Sequence, residues 1–332
     1  MKYRTLGDTD LECSVVTFGA WAAGGWMWGG TEQNNAVEAI RASYDLGVTS
    51  IDTAPVYGQG LSEKIVGEAI SDLPREKVQI LTKYGLRWDT DKGTFYFKSR
   101  NNDGEEIDIH KYAAKDAIIR ECEESLKRLG TDYIDLYQIH WPDPSTPIEE
   151  SMEAVLQLKK QGKIREAGVC NYSADQMREA EEVISLASNQ VPYSMVRRDI
   201  EEEVVPYCLE HNKGILAYSP FQRGLLTGKM KPDQEFSEGD TRANEVYYTD
   251  ENIRRTNKML EKIKPIADEK GATLAQLVIQ WTIQQPGITI ALVGARTPEQ
   301  STQNAKAADL ELLPDEIEFI NNQIEELELQ PA

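Results

Sequence analysis

The chain has 332 residues, 40% hydrophobic and 28% charged, proportions ordinary for a globular protein able to bury a sizeable core. Its formal net charge of −20 opposes nucleic acid and anionic membrane surfaces as partners. No run approaches the roughly 20 apolar residues of a membrane helix, and Met1-Lys2-Tyr3-Arg4-Thr5 leads into no apolar segment, so a cytoplasmic protein without a signal peptide is expected. Cys13, Cys122, Cys170 and Cys208 show no CxxC spacing, which predicts reduced thiols and, with three histidines in all, no metal site.

In chain order, Lys2 to Ser14 reads as a β-hairpin turning at Gly7-Asp8-Thr9-Asp10. Val15 to Gly19 is a strand, and Thr31 can cap a helix from Asn35 to Leu46 that Gly47 ends. A short apolar strand with Val48 and Ile51 ends at Asp52, followed by a helix from Ser62 to Ile70 and a strand from Val78 to Lys83. The alternation continues: helix Ala113–Leu129, strand Tyr133–His140, helix Ile148–Gln161, strand Ile164–Val169, helix Ala174–Ile184, strand Ser188–Pro192. Helix Val204–His211, strand Gly214–Tyr218, a helical region from Arg254 to Gln285, strand Ile288–Val293 and helices from Pro298 and Pro314 complete it. Eight strands, each followed by helical sequence, predict a single (β/α)₈ barrel domain over 1–332, with a capping hairpin and extra C-terminal helices. Two long connections, Gly85 to Ile109 and Phe221 to Asn252, leave strand carboxyl ends and read as loops covering a site.

A doubly wound nucleotide-binding sheet is the rival. It requires GxGxxG after the first strand, and Gly19-Ala20-Trp21-Ala22-Ala23-Gly24 has tryptophan at the second glycine. Gly224-Leu225-Leu226-Thr227-Gly228-Lys229-Met230 is one residue too short for a P-loop and ends in methionine. Both fail.

In a barrel of this kind the site gathers at the carboxyl ends of the strands. Those ends carry Asp52, Lys83 and His140, with Tyr57 on the loop five residues beyond Asp52. Period-2 alternation places Gln79, Leu81 and Lys83 on one face of their strand, and Ile134, Leu136, Gln138 and His140 on one face of theirs. Each residue has a plain structural reading: Asp52 and Lys83 as a buried ion pair, Tyr57 as a turn aromatic, His140 as a strand cap. Together they suit reversible carbonyl reduction. A phenol has a pKa near 10; a Lys83 ammonium beside Tyr57 is expected to lower it, with Asp52 holding the lysine charged and His140 donating to the carbonyl oxygen. Of Trp21, Trp26, Trp28 and Trp88, Trp21 at a strand end is the foremost pocket-wall residue.

Nearly the whole chain resembles the aldo-keto reductase family. The resemblance rests on Ile51-Asp52-Thr53-Ala54 with Tyr57-Gly58, Ser62-Glu63, Leu81-Thr82-Lys83, and Ser125-Leu126-Lys127-Arg128-Leu129-Gly130. His140-Trp141-Pro142, Gly162-Lys163-Ile164-Arg165, Tyr218-Ser219-Pro220 and Arg223-Gly224-Leu225-Leu226-Thr227-Gly228-Lys229 add to it, and Trp26-Met27-Trp28-Gly29-Gly30 resembles the bacterial general-stress branch. The resemblance implies an NADPH-dependent reductase of aldehydes and ketones, sugar-like carbonyls among them, with NADH as the alternative cofactor. It implies Asp52, Tyr57, Lys83 and His140 as the catalytic tetrad, Tyr57 being the general acid, and a substrate pocket of Trp21, Tyr57, Trp88, His140 and Trp141. It further implies that Gly19, Ala20, Trp21 and Asp52 lie beside the cofactor, that Asn171 and Gln190, with Cys170 next to them, hold the nicotinamide carboxamide, and that Tyr218 stacks on its ring. Ser219, Phe221, Arg223 and Gly224 would meet the pyrophosphate, and Gly294, Arg296, Thr297, Gln300 and Asn304 the adenosine end.

Two positions depart from the family pattern. Cys170 stands where serine is usual, and Gln300 where many relatives place an arginine toward the 2′-phosphate, leaving Arg296 to meet it. Most members are monomers, so a monomer acting on a small molecule is expected. Two rivals share the same residues: a slow, NADPH-binding regulatory subunit of the channel β-subunit type, and an aldolase using Lys83 as a Schiff base.

Overall fold

The computed structural model describes residues 1–27, 32–236 and 240–330. Strands β1 (Tyr3–Thr5) and β2 (Glu12–Ser14) form the antiparallel hairpin. Strands β3 (Val16–Gly19), β4 (Ser50–Asp52) and β5 (Gln79–Tyr84) are the first three staves of the barrel. Three strands then intervene: β6 (Leu86–Arg87), β7 (Thr94–Arg100) and β8 (Glu106–Lys111). The barrel resumes with β9 (Ile134–Ile139), β10 (Ile164–Cys170), β11 (Ser188–Pro192), β12 (Gly214–Tyr218) and β13 (Ile288–Gly294). β13 pairs back onto β3, so eight parallel strands close on themselves.

The strands that the sequence pattern places are those observed, to within a residue or two at their ends. The helix expected over Asn35–Leu46 spans Gln33–Asp45, its proposed cap Thr31 lying outside the described residues. The helical region Arg254–Gln285 is two helices, Asp250–Glu269 and Leu274–Gln284, separated at Gly271 (φ +64°) and restarted by a reciprocal cap between Thr273 and Gln276.

The hairpin closes the amino-terminal end of the barrel. Leu6, Leu11 and Cys13 share one apolar cluster with the barrel residues Leu81, Leu136, Leu216, Ile290 and Leu292. Gly7 makes this seating possible, because a Cβ there would stand 2.8 Å from the Asn212 carbonyl oxygen and 2.9 Å from that of Ala187. Among the described residues no helix is long and apolar enough to cross a membrane.

The connection expected as a covering loop from Gly85 to Ile109 is a three-stranded antiparallel sheet in the order β6-β8-β7. Its turn is local chemistry: the Asn101 side-chain oxygen accepts from the Asp103 and Glu105 backbone amides at 3.0 and 2.9 Å. Thr94-Phe95-Tyr96-Phe97-Lys98-Ser99-Arg100 alternates imperfectly, and the register shifts between Phe95 and Phe97, so a strict period-2 pattern is absent. The Tyr112 amide donates to the Gly85 carbonyl at 3.0 Å, so the excursion leaves and rejoins the barrel at one point.

Asp135 binds three staves together low in the barrel. Its carboxylate, 1% exposed, accepts from the Ile80 amide (2.9 Å), Arg75 (2.7 Å) and Arg165 (2.9 Å). Because Arg75 and Arg165 reach solvent and the buried donor left unpaired is the Ile80 amide, Asp135→Ala is expected to lower the unfolding free energy by about 1–3 kcal/mol in chemical denaturation. Asp10→Ala, which removes only the exposed partner of Arg165, is expected to change it by less than about 1 kcal/mol.

Candidate active site

The strand ends bring the four expected residues together. β4 delivers Asp52 and β5 delivers Lys83, both essentially buried. Lys83 Nζ donates to Asp52 Oδ2 at 2.6 Å and to the Thr53 carbonyl at 2.9 Å. The other Asp52 oxygen accepts from Gln190 Nε2 at 2.8 Å. The aspartate is thus fixed from two sides, and its lysine has one free direction. In that direction lies Tyr57, whose ring centroid is 5.1 Å from Lys83 Nζ. His140, at the end of β9, packs edge-on against Tyr57 with centroids 5.6 Å apart. Trp21 stacks on Tyr57 with centroids 6.0 Å apart.

Local backbone chemistry places Tyr57. The turn after β4 is closed by Tyr57 N–H to the Ala54 carbonyl (3.2 Å) and Gly60 N–H to that of Pro55 (2.6 Å). Gly58 has φ +65°, and a Cβ on it would lie 2.3 Å from the Gly24 carbonyl oxygen. Gly24 in turn would bring a Cβ to 2.7 Å from the Tyr57 carbonyl. These two bare backbones press the Trp21 segment against the tyrosine turn. Ser62 locks the arrangement by donating to the Ala20 carbonyl at 2.8 Å and sharing a hydrogen bond of 2.8 Å with Thr53.

Electrostatics correct one expectation. Burial pushes the Tyr57 phenol up to about 12, and the pull of the Lys83 charge in the opposite direction does not offset it. The expected depression below 10 is absent because desolvation of the phenolate outweighs one neighbouring ammonium. Lys83 lies above the ordinary lysine range: burial opposes its charge most strongly, but Asp52, with smaller contributions from Tyr57 and Cys170, outweighs it. His140 is held well below the usual histidine value by desolvation and then by the Lys83 charge, so it is neutral. The site holds a neutral acid, a neutral imidazole and a fixed cation.

The expected cofactor residues lie along β10, β11, β12, β13 and β3, which are consecutive around the barrel. Asn171 adopts φ +59°; its Nδ2 donates to the His140 carbonyl (3.1 Å) and its Oδ1 accepts from the Tyr218 hydroxyl (3.0 Å). Cys170 is buried, and burial drives its thiol upward, so it stays protonated beside Lys83 and Asp52. Ser219 and Arg223 also have left-handed backbones, φ +58° and +49°, in the tight turn that carries Phe221 and Gly224. Arg223 Nη1 donates to Glu245 at 2.9 Å, with its guanidinium 5.7 Å from the Trp21 ring. At the far end Thr297 caps the helix Pro298–Ala305, and Gln300 accepts from the Arg296 amide at 2.9 Å. Asn304 donates to the Gly294 carbonyl at 3.1 Å, leaving Arg296 exposed beside this helix start.

Of the expected pocket wall, Trp21, Tyr57, His140 and Trp141 converge. Trp141 packs on the cluster that contains Tyr57, as do Tyr96 and Phe97 from the inserted sheet. Trp26 stacks on Phe97 (6.2 Å) and donates to Ser99 at 3.1 Å, and Trp28 lies outside the described residues. Trp88 packs on the same cluster, but it also lines a separate cleft of about 640 Å³ with Asp89, Asp91, Lys98, Asp108 and His110. None of the four catalytic candidates borders that cleft. Sequence reasoning missed Thr53, whose carbonyl orients Lys83, and Tyr96, which reaches the site only because β7 folds over it. The Phe95-Tyr96-Phe97 aromatic triplet was the available signal.

The family model described as "Aldo/keto reductase family" matches residues 15–325. The chain belongs to the aldo/keto reductase family. The aldo-keto reductase YhdN of Bacillus subtilis is 41% identical over 90% of this chain and 86% of its own length. The NADH-specific methylglyoxal reductase of Escherichia coli is 36% identical, covering 99% and 100%. Among solved structures, a glycerol dehydrogenase from Gluconobacter oxydans superposes with TM-score 0.88 at 36% identity, over 99% of this chain and 97% of that one. An aldo-keto reductase from Klebsiella pneumoniae in complex with NADPH matches with TM-score 0.71 at 29% identity, covering 97% and 95%. The fold expected from the sequence, a (β/α)₈ barrel, is that of this oxidoreductase family.

The depressed pKa of His140 makes a direct prediction. Its ring ¹⁵N shifts should remain those of neutral imidazole from pH 8 down to pH 6, and a transition to imidazolium near 6.5 would contradict the desolvated site.

Proposed function

We propose that this protein reduces aldehydes and ketones to alcohols with a nicotinamide dinucleotide, NADPH first and NADH as the alternative, within one barrel unit over residues 1–332. The observation that carries it is the Asp52–Lys83 pair beneath a protonated Tyr57, with neutral His140 against the same ring. The residues around the mouth fit such a cofactor. An arc of amide side chains and the Tyr218 ring gives way to Arg223 and then to Arg296 at a helix start, which supplies cationic groups for a long anionic ligand in an otherwise acidic chain.

Bound there, the dinucleotide supplies a hydride to the carbonyl carbon. The chain's residues handle the oxygen. His140, neutral, donates an N–H to it, and Tyr57 gives up its proton as negative charge develops. A phenol held near 12 keeps its proton until that charge appears. Lys83 then faces the phenolate with its charge, and Asp52, doubly anchored, prevents the lysine from turning away. Run backwards, the same groups accept the proton of an alcohol or a sugar hemiacetal.

The aldolase reading fits less well. A Schiff-base lysine must be neutral to attack, whereas Lys83 is committed as a cation to Asp52 and the Thr53 carbonyl. The slow regulatory subunit shares every feature of the site and parts from the reductase only in turnover.

Tyr57→Phe is expected to lower kcat for carbonyl reduction by about 10²–10⁴-fold while cofactor binding, followed by fluorescence, stays within about twofold. Unchanged kcat would remove Tyr57 as the acid. Cofactor binding by the wild type with no turnover of any aldehyde, ketone or aldose would favour the regulatory subunit. Gln300→Arg adds a guanidinium beside Arg296, and the NADPH-to-NADH ratio of kcat/KM should rise about tenfold, in line with one charge-assisted hydrogen bond.

A further inference from the structure

At the rim of this site a half-buried ammonium faces aromatic rings and no carboxylate. Lys111 is the last residue of β8, held in register opposite Leu86. Its Nζ stands 4.3 Å from the Tyr96 ring centroid and 5.2 Å from that of Trp141. Those two rings touch at 5.5 Å, and both pack on the cluster that includes Tyr57. Trp141 directly follows His140 in the chain. The wall that begins at the catalytic pair therefore ends in a cation.

Lys111 makes no side-chain hydrogen bond or ion pair with any described residue. The carboxylate that acts on it electrostatically, Asp143, is saturated elsewhere. One Asp143 oxygen accepts from the Ala113 amide (2.8 Å) and Thr146 hydroxyl (2.8 Å), the other from the Ser145 amide (2.9 Å) and hydroxyl (2.6 Å). Burial draws the Lys111 pKa below the ordinary value, the direction expected of an ammonium losing water. Cation–π contact returns part of that loss. The contrast is Lys98 in the same sheet, exposed and 3.8 Å from Asp108. In a chain with 56 acidic residues against 36 basic ones, a lysine desolvated at an aromatic rim without an acid is placed to meet an anion from outside.

We propose that Lys111 is the specificity-determining residue of the substrate pocket, binding a carboxylate or phosphate on a short aldehyde or ketone whose carbonyl oxygen meets Tyr57 and His140. This rests on the carbonyl-reducing reading and narrows its substrates to anionic carbonyls, sugar acids and sugar phosphates included. The aromatic wall covers the carbon chain, and Lys111 selects the far end.

The test compares substrates that differ by the anion alone: glyceraldehyde with glyceraldehyde 3-phosphate, and butanal with 4-oxobutanoate. Cofactor oxidation is followed for the wild type, Lys111→Met, Lys111→Arg and Lys98→Met. The anionic-to-neutral ratio of kcat/KM should fall at least about tenfold in Lys111→Met, chiefly through KM, return in Lys111→Arg and hold in Lys98→Met. A ratio that is the same in the wild type and Lys111→Met overturns the proposal, as does an equal fall in Lys98→Met, which would make the effect one of overall charge. If the wild type reduces no carbonyl, the reductase reading fails, and Lys111 is then judged on binding alone. Salt-sensitive quenching of tryptophan fluorescence by 3-phosphoglycerate, lost in Lys111→Met and kept in Lys111→Arg, supports the anion site; no binding by the wild type overturns it.

Discussion

The site depends on a buried ion pair that is not free to choose its geometry. Desolvating Asp52 and Lys83 is costly, and their attraction compensates only where further hydrogen bonds satisfy what remains. Gln190 and the Thr53 carbonyl provide those bonds, one on each partner. The pair therefore fixes more than itself. β4 and β5, paired neighbours, and β11 from the opposite side of the barrel all reach it, and the closed parallel sheet is what lets side chains so distant in sequence share two oxygens. Loss of either charge would strand the other in a dry barrel end.

That dryness also sets the protonation states. Burial raises Tyr57 and lowers His140, so both favour their neutral forms, whereas Lys83 keeps its charge because an anion faces it. A simple argument from proximity, in which the ammonium acidifies the phenol, omits the larger desolvation effect. In the proposed reaction the ammonium acts chiefly once the phenolate exists. Its contribution is to the charge-separated arrangement, not to the resting acidity.

Much of this was legible in the residues. Strands ending in Asp52, Lys83 and His140 followed from alternation and from breakers such as Pro55 and Gly58, since strand periodicity directs side chains without tertiary knowledge. The order of the eight staves followed from the repeating strand–helix pattern. The Gly85–Ile109 connection was legible as a cover, but not as a three-stranded sheet. Its strands are polar, one carries a register shift, and their pairing joins residues that pattern alone leaves unmatched. The glycine contact between Gly24 and Gly58 was equally hidden, because it is a meeting of backbones from separate loops. The pKa of Tyr57 depends on how completely water is excluded, which is a property of packing and not of neighbours in sequence.

The inserted sheet has a consequence for how such a protein can change. Because Gly85 and Tyr112 are joined by a backbone hydrogen bond, the excursion closes on itself at its base, and the β5–β9 pairing, which ends at Tyr84 and Ile139, is complete before the excursion begins. Its other ties to the body include Asn102 reaching the Gly24 carbonyl and Trp26 reaching Ser99, both at the rim. Lengthening a closed loop costs stability only slowly. The base of the excursion stays tied to the body, Arg87 being buried against Glu121 and Leu86 and Ile109 packing with Tyr57, so the exchangeable part is the outer sheet between residues 94 and 107. Its length and side chains can be exchanged, and the ligand preference of the mouth altered, while the eight staves and the buried ion pair stay as they are.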